Sequence, residues 1–348
     1  MRYKLIYIFI VSAAVLVVTF FFFRRSKFHN LNQTTDKFTL LPSYLTPTPF
    51  PFVELTIPYL RSREYNSRLS DLEKISANGL YTSYLTSFTS DGLRINGQLT
   101  VPAGDVPAGG WPGIIFIHGY IPPGQYSTLV NYSSYVDYLS RNGFVVFKID
   151  LRGHGSSEGE PGGAYYSPDY ITDVLNAYSA LAASRNVNPE KIGLWGHSMA
   201  GNVVLRSLAA KLDIPASVIW AGAVYSYSDM QKYGINDGSY RPPGTDTQRQ
   251  RKRQELMEMY GNFSQDSFFW QQVAPTNYLK DLKGSIQLNH AVDDNVVNIG
   301  YSRDLADLLS QAGVDFELKE YQSGGHNLTG STFNQAMQNT VVFFKKHL

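Results

Sequence analysis

The chain has 348 residues, enough for one large α/β domain with additions. Its 43% hydrophobic residues, 17% charged residues and net charge of +1 support a packed core and give no ground for nucleic acid or acidic partners. With no cysteine, disulfides, thiolate-held metal and a cysteine nucleophile are excluded. The 24 Tyr and 20 Phe fit a packed interior more readily than a carbohydrate-facing surface, because aromatic rings mostly fill cores.

Residues 5–23 form a run without charge. As a helix it spans roughly 28 Å, close to the hydrocarbon thickness of a bilayer. A cleaved signal peptide has a shorter apolar core and a small-x-small site, whereas here Phe20 to Phe23 lead straight into Arg24 and Arg25. The expectation is one uncleaved transmembrane helix, with residues 1–29 as anchor and the lipid bilayer as partner. Basic residues flank both ends; the orientation expected is a single-pass anchor with an extracytoplasmic catalytic domain. Residues 30–80, with Thr46-Pro47-Thr48-Pro49 and Pro51, read as an extended tether and weakly structured lead-in.

The folded domain is expected over residues 81–348. It opens with a hairpin: β-branched and aromatic residues 84–90, the turn signal Asp91-Gly92, and alternating residues 93–101. Continuous apolar runs at 113–117, 144–149, 192–195, 216–221 and 285–292 then alternate with amphipathic segments. One of these is residues 126–141. Another starts at Ser167-Pro168-Asp169, with Ser as cap and Pro at the first helical position. Such alternation predicts an α/β fold with a mostly parallel sheet and helices on both faces. The last strand and helix fall at 316–321 and 332–344.

Alternation stops over residues 225–277, which read as a short lid insertion at a strand's carboxyl end. Within it, Arg249, Arg251, Lys252 and Arg253 form a basic cluster, read as a solvated helix face; contact with an acidic substrate or a membrane is the sharper alternative.

One stretch organises the rest: Gly196-His197-Ser198-Met199-Ala200-Gly201, between an apolar run and a helical pattern. Strand, tight turn and helix with a serine at the apex place that hydroxyl outside the sheet and aim helix N–H groups at a developing oxyanion. An acyl-transfer site also needs a base, and a carboxylate to orient it. His326 lies in a Gly-rich loop after the last strand, and Asp293 and Asp294 follow the strand before it. The remaining histidines have plainer readings. His118 stabilises a His-Gly turn, His154 with Asp150 fixes the Arg-Gly-His-Gly loop, His197 sits inside the elbow, and His290 precedes the acid. No histidine pair has metal-ligand spacing, so neither metal nor cofactor is expected.

Ile117-His118-Gly119-Tyr120, Asp150-x-Arg152-Gly153-His154-Gly155-x-Ser157, Gly196-x-Ser198-x-Ala200-Gly201 and Gly325-His326 together resemble the α/β-hydrolase superfamily. Within it the chain is most similar to catalytic domains of the prolyl oligopeptidase family (dipeptidyl- and acylaminoacyl-peptidase type), without a propeller domain. The resemblance covers residues 81–348. It implies an α/β-hydrolase fold with Ser198 as nucleophile, His326 as base, and the backbone N–H groups of Tyr120 and Met199 as oxyanion hole. The family's spacing from a His-Gly turn, four residues to the Asp and three more to a Val, runs from His290 to Asp294 and Val297. Ala291 replaces the usual Gly, and Asp293 is the alternative acid. The activity implied is a membrane-anchored serine hydrolase cleaving an amide, peptide or ester bond in a small-molecule or peptide substrate, peptidase preferred over carboxylesterase. Lacking the propeller that excludes large substrates in the family, the chain leaves peptide specificity open. A non-catalytic envelope binding module on the same scaffold is the reading from another class.

Overall fold

The computed structural model describes residues 50–237 and 248–348, all within the unit Phe50–Leu348. The apolar runs become strands of one sheet, nine-stranded among the described residues: β1 (Glu73–Ala77), β2 (Tyr81–Ser90), β3 (Leu93–Pro102), β4 (Trp111–Ile117), β5 (Val145–Ile149), β6 (Val187–His197), β7 (Ala216–Trp220), β8 (Ser285–Ala291) and β9 (Phe316–Tyr321). Their spatial order is β1-β2-β3-β5-β4-β6-β7-β8-β9. The pairs from β5 across to β9 are parallel, and β1, β2 and β3 add antiparallel to one edge. At the β2–β3 turn, Asp91 and Gly92 both take positive φ, 49° and 79°, the conformation that keeps a two-residue hairpin in register with strand twist.

The central strands are apolar on both faces because both are covered. Ile115, Ile117, Leu194, Ile219 and Leu288 pack with α3 (Asp169–Ala182), α4 (Ala200–Ala210) and α8 (Gly300–Ala312). Alternate residues Ile114, Phe116, Val146, Trp195, Val218 and Trp220 pack with α2 (Ser133–Arg141) and α9 (Ser331–His347). On that face Phe116 stacks on Trp195 at 4.1 Å. From β4 the chain goes first to β5 on one side, then to β6 on the other. Loops therefore diverge above the carboxyl ends of β4 and β6, where open α/β sheets place their sites.

Four features differ from the sequence expectation. The packed body starts at Phe50 rather than residue 81: α1 (Ile57–Ser62) follows a 3₁₀ turn at Val53–Leu55, and Leu55, Ile57 and Leu60 are buried in the core. Arg206, fully buried on α4, holds this segment by donating to the Leu55 carbonyl at 2.7 Å, and to those of Ser167 and Ala164 at 2.9 and 3.2 Å. Three apolar anchors among charged residues give too weak a periodicity to read. Second, β1 is an additional edge strand whose five residues are all exposed, so no alternation marks it. Third, the helix expected from residue 126 begins at Ser133. Lys148 on β5 donates to the carbonyls of Thr128 and Asn131, which a helix would use itself. Fourth, the helix starts at Asp169 with Pro168, not Ser167, at the cap position and no side-chain cap; the Ser167 hydroxyl instead accepts from the Asp169 N–H at 3.1 Å.

The insertion between β7 and β8, expected as a lid, contains α5 (Tyr227–Tyr233), α6 (Gln248–Tyr260), α7 (Phe268–Val273) and a 3₁₀ segment at Pro275–Asp281. In its basic cluster, Arg251, Lys252 and Arg253 are exposed, and the Arg253 guanidinium lies over the Tyr166 ring at 4.7 Å. The expected membrane helix at residues 5–23 lies outside the described residues. Among those described, no helix is long and apolar enough to cross a membrane.

Candidate active site

Ser198 sits between β6 and α4 with φ of 56°, a left-handed conformation that a β-carbon disfavours. The surroundings hold it there. Its N–H donates to the Trp220 carbonyl at 2.9 Å, and its carbonyl accepts from Gly201 at 2.8 Å and Ala223 at 3.1 Å. The turn closes this tightly only because its neighbours are small. A β-carbon at Gly196 would stand 2.8 Å from Val204, and one at Gly201 would stand 2.7 Å from the Gly222 α-carbon. Behind Ser198 the first N–H groups of α4 lack partners within the helix, so the positive end of its dipole faces the cleft.

Ser198 and His326 line the same cleft, about 490 Å³, together with Gly119, Tyr120, Ile121 and Asp237. His326 Nδ1 lies 2.8 Å from Asp294 Oδ2. The Asp294 side chain is fully buried, and its other oxygen accepts from the Val296 and Val297 N–H groups at 2.8 and 3.0 Å. His290 Nε2 stands 3.2 Å from Oδ2. Burial alone pushes this carboxyl up, but hydrogen bonds from His290, His326 and the Val297 N–H outweigh it and hold it well below the usual carboxylate range. Asp294 is therefore an anion. Asp293 does something else: it accepts from the backbone N–H groups of Gly325 at 2.8 Å and Gly324 at 3.3 Å, bracing the loop that carries His326.

The His-Gly-Tyr turn follows β4. His118 Nδ1 donates to the Gly119 carbonyl at 2.7 Å. The Gly119–Tyr120 peptide is trans, so fixing that carbonyl sends the Tyr120 N–H the opposite way. Burial holds His118 well below its ordinary pKa, leaving it neutral with its proton on Nδ1. The histidine and aspartate of the next loop act more broadly than the sequence implied. His154 faces the carbonyls of Leu151, Arg152 and Ile121 at 3.2–3.3 Å. Asp150 accepts from Thr128 and, at 2.6 Å, from Tyr126, so it fixes the 123–132 loop as well as its own. Burial pushes its carboxyl up to about 6.

Of the residues expected at the site, Ser198, His326 and Tyr120 line one cleft, Asp294 bonds His326, Asp293 braces the His326 loop, and Met199 follows Ser198 at the start of α4. Sequence reasoning missed Tyr132. Its hydroxyl is 2.8 Å from His197 Nδ1, a contact made 65 residues apart. An aromatic residue just before a helix carries no sequence signal for such a role.

The strand order and the elbow between β6 and α4 give the chain an α/β-hydrolase fold. Residues 113–237 match the family model described as serine aminopeptidase, S33. The polyketide transferase claH of Penicillium crustosum is 32% identical over 149 residues, 42% of this chain and 46% of that protein, so the chain spans less than half of that relative. Among solved structures, the acetyl xylan esterase from Paenibacillus sp. R4 superposes with a TM-score of 0.62 at 14% identity, over 84% of this chain and 92% of the esterase. The acylaminoacyl peptidase of Pyrococcus horikoshii does so at 0.58 and 17%, over 82% of this chain and 50% of that one.

Proposed function

We propose that this chain is a serine hydrolase that cleaves amide or peptide bonds through an acyl-enzyme. Ser198 Oγ attacks the carbonyl carbon as His326 Nε2 takes its proton, and Asp294 holds the imidazole with Nδ1–H inward and stabilises the imidazolium. The N–H groups of Tyr120 and Met199 receive the oxyanion, each worth about 3 kcal/mol in the transition state. The tetrahedral adduct then collapses, His326 returns the proton to the leaving amine, and water releases the acyl group by the same steps reversed. The observation that carries this reading is Ser198, at a left-handed turn before a helix, sharing one cleft with a histidine bonded to a buried carboxylate.

Asp237 lines the same cleft and favours amide over ester substrates: its carboxylate suits the ammonium of an aminoacyl amide or peptide N-terminus. A carboxylesterase is the second reading, because Ile121, Tyr135 and Val296 offer an apolar wall to an uncharged acyl chain. Labelling with a fluorophosphonate probe tests the mechanism. Wild type is expected to label and Ser198→Ala not to; equal labelling would end the proposal. Turnover of aminoacyl p-nitroanilides against p-nitrophenyl esters, with Asp237→Asn raising KM only for the former, separates the two substrate readings. We further propose that residues 5–23 hold the enzyme in a bilayer with the catalytic domain outside the cytoplasm. Release of the full chain from membranes by alkaline carbonate, or protection of the domain from protease added outside intact cells, would refute this.

A further inference from the structure

Three segments far apart in sequence meet through one hydrogen-bonded chain. The Gly119 N–H donates to the Tyr132 hydroxyl oxygen at 3.0 Å. That hydroxyl lies 2.8 Å from His197 Nδ1, and His197 Nε2 lies 2.9 Å from the His326 carbonyl. A carbonyl only accepts, so the proton of His197 is on Nε2, Nδ1 accepts, and the Tyr132 O–H donates. Every link then has one donor and one acceptor. Burial together with the neighbouring His326 pushes His197 down to about 3, so this single tautomer persists through the working range. The fit is close: a β-carbon on Gly119 would lie 2.8 Å from the Tyr132 oxygen and 3.2 Å from His197 Nδ1. Tyr132 holds φ of 62°, a conformation aromatic residues rarely adopt, and its ring is fixed against Phe116 at 5.5 Å. Beside it, the Tyr135 hydroxyl donates to the Asn327 carbonyl at 3.1 Å, a second tie to the same loop.

We propose that Tyr132 and His197 are positioning residues, joining the oxyanion turn at Gly119-Tyr120 and the His326 loop into one rigid frame around Ser198. This rests on the reading of Ser198 and His326 given above. The turn and the loop are the two walls between which a tetrahedral adduct forms, and neither belongs to a helix or strand. Without the chain each moves independently, and the oxyanion donors and the base no longer hold fixed separations from Ser198. Substrate binding does not need those separations; transition-state stabilisation does.

The test is steady-state kinetics on a p-nitrophenyl ester with the full chain, alongside Ser198→Ala and His326→Ala. Tyr132→Phe keeps the ring packing and removes one oxygen; it is expected to lower kcat about tenfold with KM within about twofold. His197→Leu breaks both of its links, with an expected loss of about 100-fold. His197→Gln places an amide N–H near the Nε2 position and recovers most of that loss. The double variant is no worse than His197→Leu alone, because both act on one chain. If His197→Leu does not fold, Tyr132→Phe decides by itself. Wild-type kcat in Tyr132→Phe and His197→Leu, a loss confined to KM, or equal losses in His197→Gln and His197→Leu overturns the proposal while the triad reading stands. Full turnover by Ser198→Ala or His326→Ala overturns both.

Discussion

Asp294→Asn separates the two candidate acids and has a magnitude that follows from the site. In the wild type, Asp294 Oδ1 accepts two backbone N–H groups and Oδ2 faces His326 Nδ1 at 2.8 Å and His290 Nε2 at 3.2 Å. Asparagine keeps its single oxygen on the two backbone donors, which turns its NH₂ toward the histidines. His290 cannot yield: its Nε2 also lies 2.9 Å from the Val297 carbonyl, so that nitrogen stays protonated. His326 must instead present a bare Nδ1 to the new donor and carry its proton on Nε2, toward Ser198, where it can no longer accept one. The expected loss is about 10³–10⁴ in kcat, or roughly 4–5.5 kcal/mol of barrier. Asp293→Asn retains an oxygen for the Gly325 N–H and weakens an exposed brace, so its loss stays under about tenfold, near 1 kcal/mol. Kinetics on an aminoacyl p-nitroanilide and a p-nitrophenyl ester, with melting temperatures to exclude unfolding, read the outcome. Stability gives a second signature. The folded pKa of Asp294 lies below its unfolded value of about 3.9, so its stabilisation is present above that pH and fades as pH falls toward the folded value. The gap in stability between wild type and Asp294→Asn should narrow below about pH 4. A larger kcat loss in Asp293→Asn than in Asp294→Asn, or a loss in Asp294→Asn seen only in KM, would refute the assignment.

Gly119→Ala puts a β-carbon against the Tyr132 oxygen and the His197 carbonyl, at 2.8 and 3.0 Å, and is expected to destabilise by about 1–3 kcal/mol and to lower kcat at least tenfold; unchanged activity would show the turn to be compliant. Arg206→Met leaves three buried carbonyls unpaired while removing a buried charge, for a net loss of about 2 kcal/mol in urea unfolding and easier proteolysis around α1. A midpoint matching wild type would show that the lead-in does not depend on this contact. His197, pushed down to about 3 from an ordinary 6.5, binds its proton only when unfolded over that interval, so it makes stability rise with pH there. The total is on the order of 5 kcal/mol. His197→Gln lacks this term, and its stability relative to wild type should improve steadily as pH is lowered from 6.5 to 4. A constant difference across that range would rule out a buried neutral His197.

The sheet was readable because strands covered on both faces carry unbroken apolar runs, and because Asp91-Gly92 permits little but a tight hairpin. The elbow was readable because its backbone excludes side chains at Gly196 and Gly201. Where the expectation failed, the cause was a contact no local pattern records. Residues 50–62 look like tether until Arg206 on α4 captures the Leu55 carbonyl. Residues 126–132 have helical periodicity, yet Lys148 on β5 and Asp150 just after it claim their polar groups. In both places buried polar side chains from another element override the local preference.

The histidines show why the site itself was only half legible. Residue type does not separate His118, His197, His290 and His326; each stands near a strand end or in a loop. Their second atoms do. His118, His197 and His290 each face a backbone carbonyl with one ring nitrogen, at 2.7–2.9 Å, and these three rings are at most 3% exposed. A carbonyl fixes a tautomer but supplies no full negative charge to stabilise an imidazolium, so such a ring serves as a rigid donor. His326 alone among them pairs Nδ1 with a carboxylate held as an anion, and its side chain keeps 15% exposure toward the cleft. His118 and His197 bond only neutral groups, and burial pushes both below their ordinary range; His290 does meet the same carboxylate, its Nε2 3.2 Å from Asp294 Oδ2, but it is fully buried between Ser302 and Val297. Three of the rings are buried struts; His326 is the one of the four that both meets the carboxylate and lines the cleft. The order of Asp294 and His326 along the chain and their loop positions point to that pair without the fold, whereas the carbonyls that hold His118, His197 and His290 come only from the fold.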